Sequence, residues 1–253
     1  MSYFSMVDHE ALSHNFENAH QKLMSLHHAL TDQMRMRDWD LHPHYKKSRI
    51  VSNASGATNN EADNILVLSY FRSYEQARLV ENLMGIEQNT STHEVYAYRH
   101  PVIELRLAPD YFAIELILSP FAWWDQQNFI GKFDLERQRR ALRHTLAQMS
   151  DDYRFGFWGG VGMSDMHLTA WQLAQGRILD EWMSTFADGQ DWMRFGMWYE
   201  PECDRLDDHN IVQEATTRIG ELYNFYDFLL WTSNNNYHDF YHKRNKRVRR
   251  MYA

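Results

Sequence analysis

The chain has 253 residues, of which 44% are hydrophobic and 15% aromatic, with nine tryptophans. This is too apolar for a disordered chain and long enough for a sizeable core. Its net charge of −8 is uneven: Lys243, Arg244, Lys246, Arg247, Arg249 and Arg250 put six cations in the last eleven residues, leaving −14 on the rest. An acidic body speaks against a broad nucleic-acid-binding face there and makes the tail the only dense polycation. A single cysteine, Cys203, excludes internal disulfides and a cysteine-only zinc site. No apolar run approaches the length of a membrane span and no leader-like segment opens the chain, so the expectation is a soluble cytoplasmic protein without membrane contact.

In chain order, Asp8 is placed to cap a helix reaching to about Met36, with Leu12, Phe16, Leu23, Leu26, Leu30 and Met34 as its apolar stripe. His9, His14, His20, His27 and His28 stud that helix, but no two are four residues apart, the spacing at which two imidazoles share a metal on one face. Trp39 to Asp63 reads as a long loop stiffened at Pro43. The run Ile65-Leu66-Val67-Leu68 fits a strand buried on both faces, and Ser73 caps a short helix ending before Gly85.

Residues 96–128 are the stretch around which the rest is arranged. Ile103, Leu105 and Leu107 alternate with Val102, Glu104 and Arg106, and Phe112, Ile114, Leu116 and Leu118 alternate with Ala113, Glu115 and Ile117. Pro109-Asp110 supplies a turn between them. An antiparallel hairpin on that turn has one wholly apolar face, and on the other it sets Glu104 opposite Glu115. Carboxylates so placed repel, and the conflict is resolved by a cation, a bound metal or a shared proton. Two roles follow. In a structural role, arginines neutralise the pair, Arg106 or the arginines of the later helix 134–149 being at hand. In a catalytic role Glu104 and Glu115, with His100 and Asp125 nearby, act as acid, base or ligands of a divalent metal in a nuclease- or phosphatase-like hydrolase. Pro109-Asp110 followed by Glu115 resembles the metal-binding core of restriction-endonuclease-like nucleases, but Ile117 stands where that pattern has lysine.

A turn ending in Trp123, Trp124 and Asp125 closes the hairpin. There two indoles and Asn128, with Arg106, could wall a small-molecule pocket. Asp134 is placed to cap an arginine-rich helix to Met149, and Tyr153 to Trp158 reads as a strand. Gly159-Gly160 and Gly162 follow, lacking the lysine of a P-loop and the third glycine of a dinucleotide fingerprint. One helix is expected over 165–186, a strand over 191–199, an acidic loop over 200–208 and a last helix from His209 to Trp231. The sum is a single α+β domain over 1–236, a mixed sheet with a central antiparallel hairpin flanked by amphipathic helices, then a basic aromatic tail over 237–253. Three functions suit it: an interaction protein whose tail contacts nucleic acid or an acidic protein, the hydrolase, and a small-ligand binder. Interleaved tyrosines and cations in the tail suit single-stranded nucleic acid. Oligomeric state has no signature in the sequence.

Overall fold

The computed structural model describes residues 9–53, 55–58, 64–86, 95–157 and 168–239, with side chains from residue 16 onward. Its strands are β1 (His42–Pro43), β2 (Leu66–Phe71), β3 (Val102–Leu107), β4 (Phe112–Leu118), β5 (Arg154–Phe157), β6 (Leu168–Thr169) and β7 (Met193–Tyr199). They form one seven-stranded sheet in the order β1-β2-β3-β4-β7-β5-β6. Every pairing is antiparallel, correcting the mixed sheet expected from the alternation of strands and helices. The reason is the placement of β7, which enters between β4 and β5 and runs against both. Among the described residues, no helix is long and apolar enough to cross a membrane.

The helices are α1 (His9–Met36), α2 (Tyr74–Leu83), α3 (Trp123–Phe133), α4 (Glu136–Ala147), α5 (Ala170–Ala174), α6 (Ile178–Ser184) and α7 (Ile211–Leu229). Trp123, Trp124 and Asp125 thus open α3 instead of ending a turn. Asp134 is the C-cap residue of α3, and α4 starts only at Glu136. The single helix expected over 165–186 is cut. Thr169 and Gln172 make a reciprocal capping box at the start of α5, and Gly176, at φ +51, stops the helical path before α6.

Period-two alternation sorts the sheet into two faces. Leu66, Leu68 and Tyr70 of β2, Ile103, Leu105 and Leu107 of β3, and Ile114 and Leu116 of β4 point into the main core with α1, α3 and α7. There α1 contributes Leu23, Leu26 and Leu30, and His27 hydrogen bonds with the Tyr70 hydroxyl at 2.9 Å. Each fully buried leucine or isoleucine contributes about 1.5–3 kcal/mol by leaving water. The second face carries a smaller apolar cluster of Phe71, Val102 and Ile117 with Ala57, Ala77, Val95 and Ala97. Beside that cluster the face turns polar.

A charged sheet face, a capped helix and an exposed aromatic strip

Ser69, Glu104, Glu115, Gly196 and Arg154 stand side by side across five strands of the second face. Both glutamates are fully buried. Glu104 accepts from the Ser55 hydroxyl at 2.8 and 3.0 Å, the Ser69 hydroxyl at 2.9 Å, the Ala57 amide at 3.1 Å and Arg106 Nη2 at 3.1 Å. Its carboxylate is therefore the anchor that holds the 55–58 turn to the sheet. The Ser55 hydroxyl in turn accepts from the Ala57 and Thr58 amides at 3.0 and 3.2 Å, so the turn closes on a side chain the carboxylate has already oriented.

Glu115 is neutralised differently. Arg194 and Trp198 lie on β7 with Gly196 between them, and the Glu115 side chain occupies the space above that glycine. A Cβ on Gly196 would fall 2.9 Å from Glu115 Cγ and 2.6 Å from the Ile114 carbonyl, which is why the strand has a glycine there. Arg194 Nε donates to Glu115 Oε2 at 2.6 Å and Arg194 Nη2 donates to the same oxygen. Oε1 has no hydrogen-bond partner among the described residues, nor does the Trp198 indole nitrogen. Burial by itself would raise the Glu115 carboxyl; Arg194 and Arg106 outweigh it and hold it below its usual range, with the nearby Trp198 N–H adding to the effect. Two carboxylates and two guanidiniums thus make a compensated set.

The counter-charges do not come from the arginine-rich helix. On α4, Arg139 pairs with Glu136 and Asp180, and Arg143 pairs with Asp180 at 2.6 Å.

His100 and Asp125 belong to another neighbourhood. His100 is fully buried; neither ring nitrogen has a hydrogen-bond partner among the described residues, and Glu81 Oε1 lies 3.9 Å from Nε2. Burial, helped by Arg72 and Arg99, pushes its pKa well below the usual histidine value, so the ring is neutral. Asp125 pairs with Arg72, both within 1% of complete burial. Together they hold the main chain of Trp231: Asp125 Oδ1 accepts from its N–H at 2.7 Å, and Arg72 Nη1 donates to its carbonyl at 3.1 Å.

Asp125, Asn128 and Lys132 recur at helical spacing along one side of α3, and all three face the end of α7. A helix leaves its last four carbonyls unsatisfied. Here Asn235 Nδ2 donates to the Asp227 carbonyl at 2.6 Å, Lys132 Nζ to that of Phe228 at 2.6 Å, and Asn128 Nδ2 to those of Leu229 and Leu230 at 3.1 and 3.0 Å. Asn128 Oδ1 then accepts from the Tyr237 amide at 3.0 Å. The amide suggested as a ligand contact therefore serves as a helix cap. Burial lowers the Lys132 pKa to about 7 against the pull of Asp227 and Asp125, and its ammonium sits where a helix end is negative.

Gly131 completes this corner, since a Cβ there would lie 2.5 Å from Tyr237 Cγ. Gly131→Ala should favour α3 by about 1 kcal/mol of helix propensity while displacing the Tyr237 ring. We expect a small net change in the urea midpoint, with limited proteolysis cutting the segment after 236 faster than in the wild type.

Trp123 lies on the outside and Trp124 is half-buried behind it. Trp123 is 40% exposed and touches Trp124, ring centroids 5.4 Å apart, and Trp124 packs on Trp231 at 6.0 Å. The Trp124 indole nitrogen has no partner among the described residues. A second run leads to the same place, through Tyr96, Tyr98 and Phe121 at 5.5 Å intervals. Phe121 is 58% exposed and Tyr96 37%, while the Arg99 guanidinium lies 4.7 Å from the Tyr96 ring centre and 5.7 Å from that of Tyr98. Ser119 donates to the Tyr98 carbonyl and so ties Tyr98 to the segment that leads through Phe121 into α3.

No protein-family model matches this chain, and no curated protein does.

The sequence reading named Trp123 and Trp124 but missed Tyr96, Tyr98 and Phe121, and it missed Arg72, Arg194 and Lys132. A Tyr-x-Tyr-Arg stretch before the hairpin, with Phe121 just after it, was the available signal. The three buried cations had none. The tail residues Lys243, Arg244, Lys246, Arg247, Arg249 and Arg250, and the glycines 159, 160 and 162, lie outside the described residues.

Proposed function

We propose that the protein is an interaction protein that binds single-stranded nucleic acid, its bases resting on the aromatic strip and its phosphates on the basic tail. The observation that carries this reading is the strip itself: Tyr96 and Phe121, exposed on either side of Tyr98, and the exposed Trp123 two residues after Phe121, with Arg99 over both tyrosine rings. Aromatic rings left in water stack on any base, and such contacts contribute about 1–3 kcal/mol each. The Tyr237 amide, six residues before the first tail cation Lys243, is held by α3, the helix that Trp123 opens.

The hydrolase built on Glu104 and Glu115 has less support, because four donors already surround Glu104 and Arg194 grips Glu115. Among the described residues, no group of three His, Cys, Asp or Glu is placed to hold a metal ion.

The test is fluorescence anisotropy of a labelled single-stranded oligonucleotide across a salt series. Binding should saturate and weaken with salt at a slope of about 0.7 per phosphate contacted. Removing residues 243–253 should reduce both affinity and slope, whereas Phe121→Ala with Trp123→Ala should reduce affinity and leave the slope. No binding at low salt, or binding indifferent to both changes, overturns the proposal. Equal binding of a polyglutamate would transfer it to an acidic protein partner.

A further inference from the structure

A cleft of about 570 Å³ opens where the start of β5 meets the end of β7, in the size range of small-molecule sites. Asp152, Arg154, Trp198, Glu200, Glu202 and Arg205 line it. Its charges fall into two sets. Asp152 and Arg205 pair with each other at 3.3 Å and form one wall. Arg154, Glu200 and Glu202 are exposed and have no ion-pair partner among the described residues, although they share one concave site. One cation and two anions left open make a net −1.

Between them Trp198 offers a flat apolar surface. Its strand neighbour toward β4 is the small Ala113. Arg154 stands on the same face as Trp198, its register neighbour on β7 being Gly196.

We propose that this cleft binds a free basic amino acid. Such a ligand carries one carboxylate and two cations, a net +1 that complements the open charges. Its carboxylate pairs with Arg154, whose planar fork suits two-point contact. Its two cationic ends face Glu200 and Glu202, and its aliphatic stem crosses the Trp198 ring, where a cation near the ring face gains further attraction. This site is separate from the aromatic strip and does not depend on the nucleic-acid reading.

The test is isothermal titration of the full chain with L-arginine, L-citrulline and agmatine, which remove in turn the side-chain charge and the carboxylate. L-Arginine should give a saturable heat, and citrulline and agmatine should each bind at least about tenfold more weakly. Arg154→Gln should erase the preference for arginine over agmatine. Glu200→Gln with Glu202→Gln should erase the preference over citrulline. Thermal unfolding should be unchanged in these variants, because all three side chains are exposed and none has an ion-pair partner among the described residues. No saturable heat up to about 10 mM arginine, or equal binding of all three compounds, overturns the proposal.

Discussion

Arg194→Met should destabilise the protein by about 3–5 kcal/mol, the cost of leaving a buried carboxylate without its cation. Glu115 cannot turn toward water, since it is fully buried above Gly196. Arg106 remains near, but it is bonded to Glu104. Urea unfolding at pH 7 would measure the loss. Its pH dependence has a definite sign. In the wild type the Glu115 pKa is depressed, so its contribution is complete above the ordinary glutamate pKa, about 4.3, and disappears as pH falls through the lower folded value. In Arg194→Met burial acts with less opposition, the folded pKa rises, and the native state takes up a proton sooner. The gap between the two proteins should therefore narrow from pH 7 toward pH 4. A gap independent of pH would show that Arg194 acts by packing and not by charge. Arg194→Met combined with Glu115→Gln should recover a substantial part of the loss, because no buried charge then stands alone.

Arg72→Met should cost a similar amount, about 3–5 kcal/mol, but its effect should spread differently. Two interactions fail together: Asp125 loses its guanidinium, and the Trp231 carbonyl loses its donor. The Trp231 N–H still binds Asp125, so the segment after α7 loosens on one side. We expect faster amide exchange over 230–237, and a weaker near-ultraviolet circular dichroism signal as Trp124 and Trp231 lose their edge-to-face packing. A variant with full loss of stability but an unchanged tryptophan signal would disprove the coupling. Adding Asp125→Leu should restore part of the stability without restoring the Trp231 contact.

These two ion pairs mark the boundary of what the amino-acid sequence discloses. The opposition of Glu104 and Glu115 is legible, because strict alternation on either side of Pro109-Asp110 permits one register, and that register pairs Val102 through Leu107 with Ile117 through Phe112. The need for counter-charge is legible too. Which arginine supplies it is not, for Arg194 lies 79 residues beyond Glu115 and arrives there only because β7 enters next to β4. The arginine-rich α4 misleads for the same reason: its cations have Glu136 and Asp180 closer at hand.

Asn128 and Asp125 show a second limit. Polar residues on a helix near tryptophans suggest a pocket, but the backbone groups they satisfy, carbonyls for Asn128 and the Trp231 N–H for Asp125, lie about a hundred residues later, at the end of α7. Backbone groups carry no sequence signature, so side chains that serve them look unemployed until the fold is known. The cut between α5 and α6 is a milder case. The apolar stripe over 168–186 is continuous, and only Gly176 marks where the helix stops.

The strand order bears on how the chain is made. Synthesis delivers β4 and then β5, but β5 joins the sheet only through β7, whose last residue is Tyr199. Until then the hydrogen-bonding edge of β4 has no partner, and β5 and β6 can pair only with each other. The cap on α7 imposes a still later requirement, since Asn235 and the Tyr237 amide take part in it. A ribosome must therefore release the chain through Tyr237 before the fold can close. An exposed strand edge is a template for wrong pairing, so the nascent chain from residue 118 to 199 is where aggregation should begin and where a chaperone would have most to shield.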